Sequence, residues 1–164
     1  MILQALNALY DRLEKDASYQ VPSPGYSRQK ITFNAAYGGE RMMAYLFLPT
    51  AGKLPHQVVV EFPGSGAIST RSSESLDLGR LDFLPKSGRA VIFPIYKGTY
   101  ERGGDLHSDY AEETTAYKDY VIMWGKDLAR SIDYLEARKD MDANRVAYYG
   151  LSWGGGLGAI LPAV

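Results

Sequence analysis

The sequence predicts an α/β protein built on a mostly parallel sheet with flanking helices. Three observations carry this. Three β-branched apolar runs are spaced along the chain: Gln57–Phe62, Ala90–Ile95 and Asn144–Tyr149. Continuous apolar strands of this kind suit a sheet covered on both faces. A long amphipathic segment, about 115–138, separates the second run from the third, as a crossover helix would. The third run ends directly in Gly150-Leu151-Ser152-Trp153-Gly154, a Gly-x-Ser-x-Gly pentapeptide that leads into a glycine-rich helix start.

Taken in chain order, residues 2–16 carry Ile2, Leu6, Leu9 and Leu13 at helical spacing and read as an amphipathic helix. Residues 18–26 hold Pro22, Pro24 and Gly25 and read as an extended connector, because prolines oppose both helix and strand. Strands are expected at about 29–35 and 41–48, with Gly38-Gly39 marking a hairpin between them. Pro63-Gly64 stops the first central strand. In the 115–138 helix, Tyr117, Tyr120, Val121, Trp124, Leu128, Ile132 and Leu135 step by three or four and form one apolar stripe.

Composition limits the partners. The chain has 164 residues with a formal charge of −1, so it offers no basic field for nucleic acid or an anionic membrane. There is no cysteine, which excludes disulfides and thiolate metal sites. Neither His56 nor His107 has a partner at metal-ligand spacing, so no metal and no cofactor is expected. The first residues mix charges among apolar positions, unlike a signal peptide, and no run is long enough to span a bilayer. A cytoplasmic protein is expected.

The chemistry lies in the pentapeptide. A serine hydroxyl is a weak nucleophile until a base takes its proton. A sharp strand-to-helix turn presents the hydroxyl, and small residues two before and two after, Gly150 and Gly154, relieve the crowding. The following helix points amide N–H groups at developing negative charge. Ser152 is the candidate nucleophile. The amides of Ser65, in Pro63-Gly64-Ser65-Gly66, and of Trp153 are the candidate oxyanion donors. His56 reads as a solvated loop histidine. His107 sits in a polar loop at the sheet edge where Ser152 emerges, and Asp105, Asp109, Glu112 and Glu113 read as solvated loop charges.

Several stretches together resemble a known family. They are Ala36–Arg41, Val60–Gly66, Asp127–Glu136 and Asn144–Gly155. Residues 32–164 are similar to the N-terminal half of an α/β-hydrolase of the dienelactone-hydrolase and acetyl-xylan-esterase-like branch, including versions fused to bacterial serine/threonine kinases. The resemblance implies a partial α/β-hydrolase fold ending just after the nucleophile elbow, and a serine esterase acting by acyl transfer on a small-molecule ester. It also implies an acid after a later strand and a histidine near the C-terminus. Neither occurs between Trp153 and Val164. The expectation is therefore an incomplete hydrolase domain, inactive alone. A non-catalytic pseudo-hydrolase or fragment is the alternative. The strand at 145–149 would be an open edge, inviting a C-terminal complementing segment or a second copy. Residues 1–31, with Met1–Leu6, Tyr10–Leu13 and Pro22–Ile31, resemble the start of the large subunit of type I-C CRISPR surveillance complexes, which would make the chain a fusion of two parts.

Overall fold

The computed structural model describes residues 18–23 and 25–163, with side chains from Gly25 onward. The N-terminal amphipathic segment lies outside the described residues. A six-stranded mixed sheet organises the rest: β1 (Ser18–Ser23), β2 (Tyr26–Asn34), β3 (Arg41–Pro49), β4 (His56–Phe62), β5 (Ala90–Pro94) and β6 (Met141–Gly150), in the order β1-β2-β3-β5-β4-β6. Among the described residues four α-helices accompany it: α1 (Gly66–Ser69), α2 (Phe83–Lys86), α3 (Thr115–Glu136) and α4 (Trp153–Leu157).

Only β5, β4 and β6 run parallel to one another. β1, β2 and β3 form an antiparallel meander that joins them through β3–β5. The sheet is thus more evenly mixed than the apolar runs suggest, because β2 and β3 close by a hairpin rather than a crossover. The Gly38-Gly39 turn makes that hairpin. Both glycines have positive φ (63° and 62°), and Ala35 N–H bonds Glu40 O at 2.9 Å. β2 runs unbroken through position 31 into residue 34.

The segment read as a connector is a strand. β1 pairs with β2 from Ser18 to Ser23, and it tolerates Pro22 because it is the edge of the described sheet, with no second neighbour requiring the missing N–H. 

Helix α3 packs its stripe on one face of the sheet. Trp124 and Leu135 are fully buried, and Tyr120 and Leu128 nearly so, against Ile31, Leu46, Val60, Phe62 and Ile92. Thr114 caps the helix, its side chain accepting from Tyr117 N–H at 3.1 Å. The opposite face holds Tyr45, Phe47, Val59, Val91 and Phe93 under Leu78 and Leu81. 

Candidate functional site

The parallel strands β4 and β6 end side by side, and the two turns that follow them are hydrogen-bonded together. Leu151 N–H donates to Phe62 O at 3.1 Å, and Gly154 N–H donates to Pro63 O at 3.2 Å. The 62–66 turn and the 150–154 turn therefore form one surface at the carboxyl ends of the strands, where open α/β sheets place ligands.

Ser152 sits at the apex of the second turn with φ 51° and ψ −106°. A non-glycine residue in that region is strained, by about 1–3 kcal/mol. The strain has a local cause. The chain must leave β6 and enter α4 within two residues, and the crossing is tight. A Cβ on Gly150 would lie 2.2 Å from Gly154 O, and one on Gly154 would lie 2.4 Å from Phe62 O. Both contacts are with backbone, so neither can yield. Trp153 anchors the start of α4. It is buried edge-on to Phe62 (5.0 Å between centroids) and to Trp124 (4.9 Å). Tyr148 OH donates to Gly154 O at 2.6 Å and braces the turn from the strand.

Ser152 is exposed, and among the described residues its hydroxyl has no hydrogen-bond partner. The amide N–H groups of Ser65 and Trp153 likewise have none among the described residues, although both lie in the two joined turns. The structure thus gathers Gly150, Ser152, Trp153 and Gly154 at one turn, with Ser65 in the turn bonded to it.

The histidines are elsewhere. His56 opens β4, at the opposite end from Phe62 and roughly 20 Å away along the strand. It is buried rather than solvated, with Nδ1 2.9 Å from Gly88 O. His107 lines a separate cavity of about 160 Å³ with Tyr110, Tyr117 and Tyr120, and has no hydrogen bond to Ser152. Asp105 in that loop is engaged, accepting from Tyr120 OH at 2.6 Å, and this bond holds its carboxyl below the ordinary range.

Two features of this end of the molecule escape a reading of the sequence. The first is a buried ion pair. Arg102 Nη1 meets Asp127 Oδ2 at 2.6 Å, and Tyr37 OH bonds both Asp127 (2.9 Å) and Arg102 (2.6 Å). Burial pushes Asp127 upward while the guanidinium opposes it. The pair ties the segment after β5 to α3. The second is Glu61, on β4 one residue before Phe62. It is 7% exposed, and burial pushes its carboxyl up to about 8. Its only warning in the sequence is a lone acid inside an apolar run. Among the described residues no cluster of three metal-ligating side chains occurs, and no helix is long and apolar enough to cross a membrane.

The architecture is a partial α/β-hydrolase fold, a mixed sheet with flanking helices. The sequence finds no match among known protein families or curated proteins. Solved structures supply the likeness. A candidate acetyl xylan esterase from Bacteroides fragilis NCTC 9343 superposes with a TM-score of 0.65 at 14% identity, over 96% of this chain and 48% of that one. A glucuronoyl esterase from Solibacter usitatus gives 0.58 at 18%, over 98% and 54%. A candidate dipeptidyl aminopeptidase IV from Bacteroides ovatus ATCC 8483 gives 0.64 at 18%, over 84% and 19%. The chain spans about half the length of the two esterases it resembles. Nothing in these comparisons supports the CRISPR resemblance of residues 1–31.

Proposed function

We propose that residues 32–164 are the N-terminal part of an esterase-type serine hydrolase domain, with Ser152 as its nucleophile on a nucleophile elbow. The observation that carries this reading is the positive φ of Ser152 between two glycines that have no room for a side chain. Strained non-glycine backbone clusters at functional sites. Tyr100 also has a positive φ, at 48°, but of the two it is Ser152 that sits between glycines whose Cβ would strike backbone. Ser152 Oγ would attack an ester carbonyl, and the free amides of Ser65 and Trp153 would receive the oxyanion. Backbone donors fixed before reaction cost no reorganisation when the charge develops.

The base and the acid would come from further strands or from a complementing segment. No histidine among the described residues bonds Ser152, so this chain alone is expected to be catalytically silent. That same observation favours the second reading, a pseudo-hydrolase or non-catalytic fragment. A fluorophosphonate probe separates them. On the first reading, the chain joined to its complementing segment is labelled, and Ser152→Ala abolishes labelling. Labelling that survives Ser152→Ala would overturn the assignment, and no labelling of the completed protein would favour the second reading.

The same proposal extends to partners. β6 pairs only with β4 and forms an edge of the described sheet. Unpaired N–H and C=O groups along a ten-residue strand invite another strand. The isolated chain should therefore self-associate, or pair with a complementing C-terminal segment. Sedimentation velocity that shows a single monomer at high concentration would overturn this.

A further inference from the structure

Glu61 lacks what its chemistry requires. It is more than nine-tenths buried, and its Oε2 has no hydrogen-bond partner among the described residues. An ionised carboxylate buried without a partner is costly, and a neutral one still leaves an acceptor unmet. Register sets Glu61 opposite Tyr149 on β6. Alternation puts it on the face of Val59, away from α3.

A cavity of about 200 Å³ opens at that place. Glu61 and Asp77 supply two carboxylates to its wall, and Leu78, Leu81, Tyr149 and Leu151 supply apolar and aromatic surface. Arg80 also lines it, but this side chain is exposed and ion-pairs with neither acid among the described residues. Asp77 is partly engaged, accepting from Gly79 N–H at 2.9 Å. Glu61 is left facing the cavity with no cation and no donor.

We infer that this cavity is a binding site for a small organic cation, an alkylammonium, with Glu61 as its counter-ion. The ammonium would supply the donor that Oε2 lacks, and the leucines and Tyr149 would cover the alkyl part. A hydroxyl could also donate to Glu61, but a wall with two carboxylates, whose one cation, Arg80, is exposed and paired with neither, favours a cationic ligand. The site lies beside Leu151, next to the turn of Ser152, yet it stands independently of any role for that serine, because binding can be read without turnover.

Binding is linked to protonation. Burial keeps Glu61 largely neutral at pH 7, so a bound ammonium must displace its proton. The other polar groups lining the cavity are Asp77 and Arg80 from the 77–81 turn and Tyr149 from β6, and Tyr96 and Tyr100 from the segment after β5 are near enough to feel a charge on Glu61. Burial raises both Tyr96 and Tyr100, the latter to about 12, so neither charges in the range where Glu61 does.

The test is titration calorimetry of the full chain with n-butylammonium chloride, with n-butanol as the neutral isostere, at constant ionic strength. Butylammonium should bind about tenfold or more tighter near pH 9 than near pH 6, with proton release at neutral pH. Butanol should bind more weakly and without pH dependence. Glu61→Gln, which keeps the shape, should lose the tight binding and its pH dependence while melting cooperatively, and Asp77→Asn should lose part of it. Equal affinity for butanol and butylammonium, unchanged binding by Glu61→Gln, or no butylammonium binding at either pH would each overturn the proposal.

Discussion

Two glycine pairs mark turns in this molecule, and they serve opposite purposes. Gly38 and Gly39 turn the β2–β3 hairpin, and both adopt left-handed backbone. A Cβ on Gly39 would meet nothing within 4 Å. Gly150 and Gly154 flank Ser152 with ordinary φ, yet a Cβ on either would strike backbone at 2.2–2.4 Å. At the hairpin, glycine is needed for conformation and space is free. At the seryl turn, glycine is needed for space, and the awkward conformation falls on Ser152 instead. The first arrangement is the ordinary way to reverse a chain. The second places strain on the one side chain that carries a hydroxyl, which is the reason to look there for chemistry.

The contrast is sharpest at Gly154. Gly154→Ala puts a methyl against Phe62 O in the centre of the sheet, and the strand cannot move without breaking its pairing on both sides. The expected loss is about 3 kcal/mol or more, read from the denaturation midpoint at unchanged m-value. An alanine tolerated there within experimental error would break the comparison, since it would mean that space is not what the glycine supplies.

A second effect lies in the strand beside that turn. Glu61 has a folded-state carboxyl raised from its ordinary 4.5 to about 8 by burial. The folded protein therefore holds this proton where the unfolded chain has released it. Stability from this group is full below about pH 4.5 and is lost as pH rises to about 8, beyond which the deficit is constant. Glu61→Gln removes the titration. It should stabilise the chain by a few kcal/mol at pH 8 and by little at pH 4.5, as measured by urea denaturation across the range. A variant equally stabilised at both ends would show that desolvation of the charge is not the cause.

Much of this was legible in the sequence, for physical reasons. The three central strands and the helix Thr115–Glu136 are found within a few residues of their expected places, because apolar run and apolar stripe are direct consequences of burial. The hairpin at Gly38-Gly39 and the Ser152 turn follow from local chemistry in the same way. What the sequence hid depends on neighbours. Pro22 and Pro24 argue against a strand, but β1 needs only one bonded edge. His56 looks solvated because it precedes a strand, yet the approach of Gly52 and Gly88 buries it. The Arg102–Asp127 pair joins residues 25 apart, on a short 3-10 turn and a long helix, and no local pattern announces it. 

The smallest effect belongs to the hairpin, and it tests the other half of the comparison. Gly39 at φ 62° faces open space. Asparagine tolerates left-handed backbone because its short side chain can bond locally, so Gly39→Asn should change stability by no more than about 0.5 kcal/mol. Valine is branched at Cβ and cannot adopt that region cheaply, so Gly39→Val should cost about 1–2 kcal/mol. The two substitutions together isolate conformation, since neither meets a neighbour. At Gly154 the same pair should be ranked differently: both should be severely destabilising, because the first carbon already collides. If asparagine and valine proved equally costly at position 39, crowding would operate at both turns, and the strain at Ser152 would lose its contrast with an ordinary reversal of the chain.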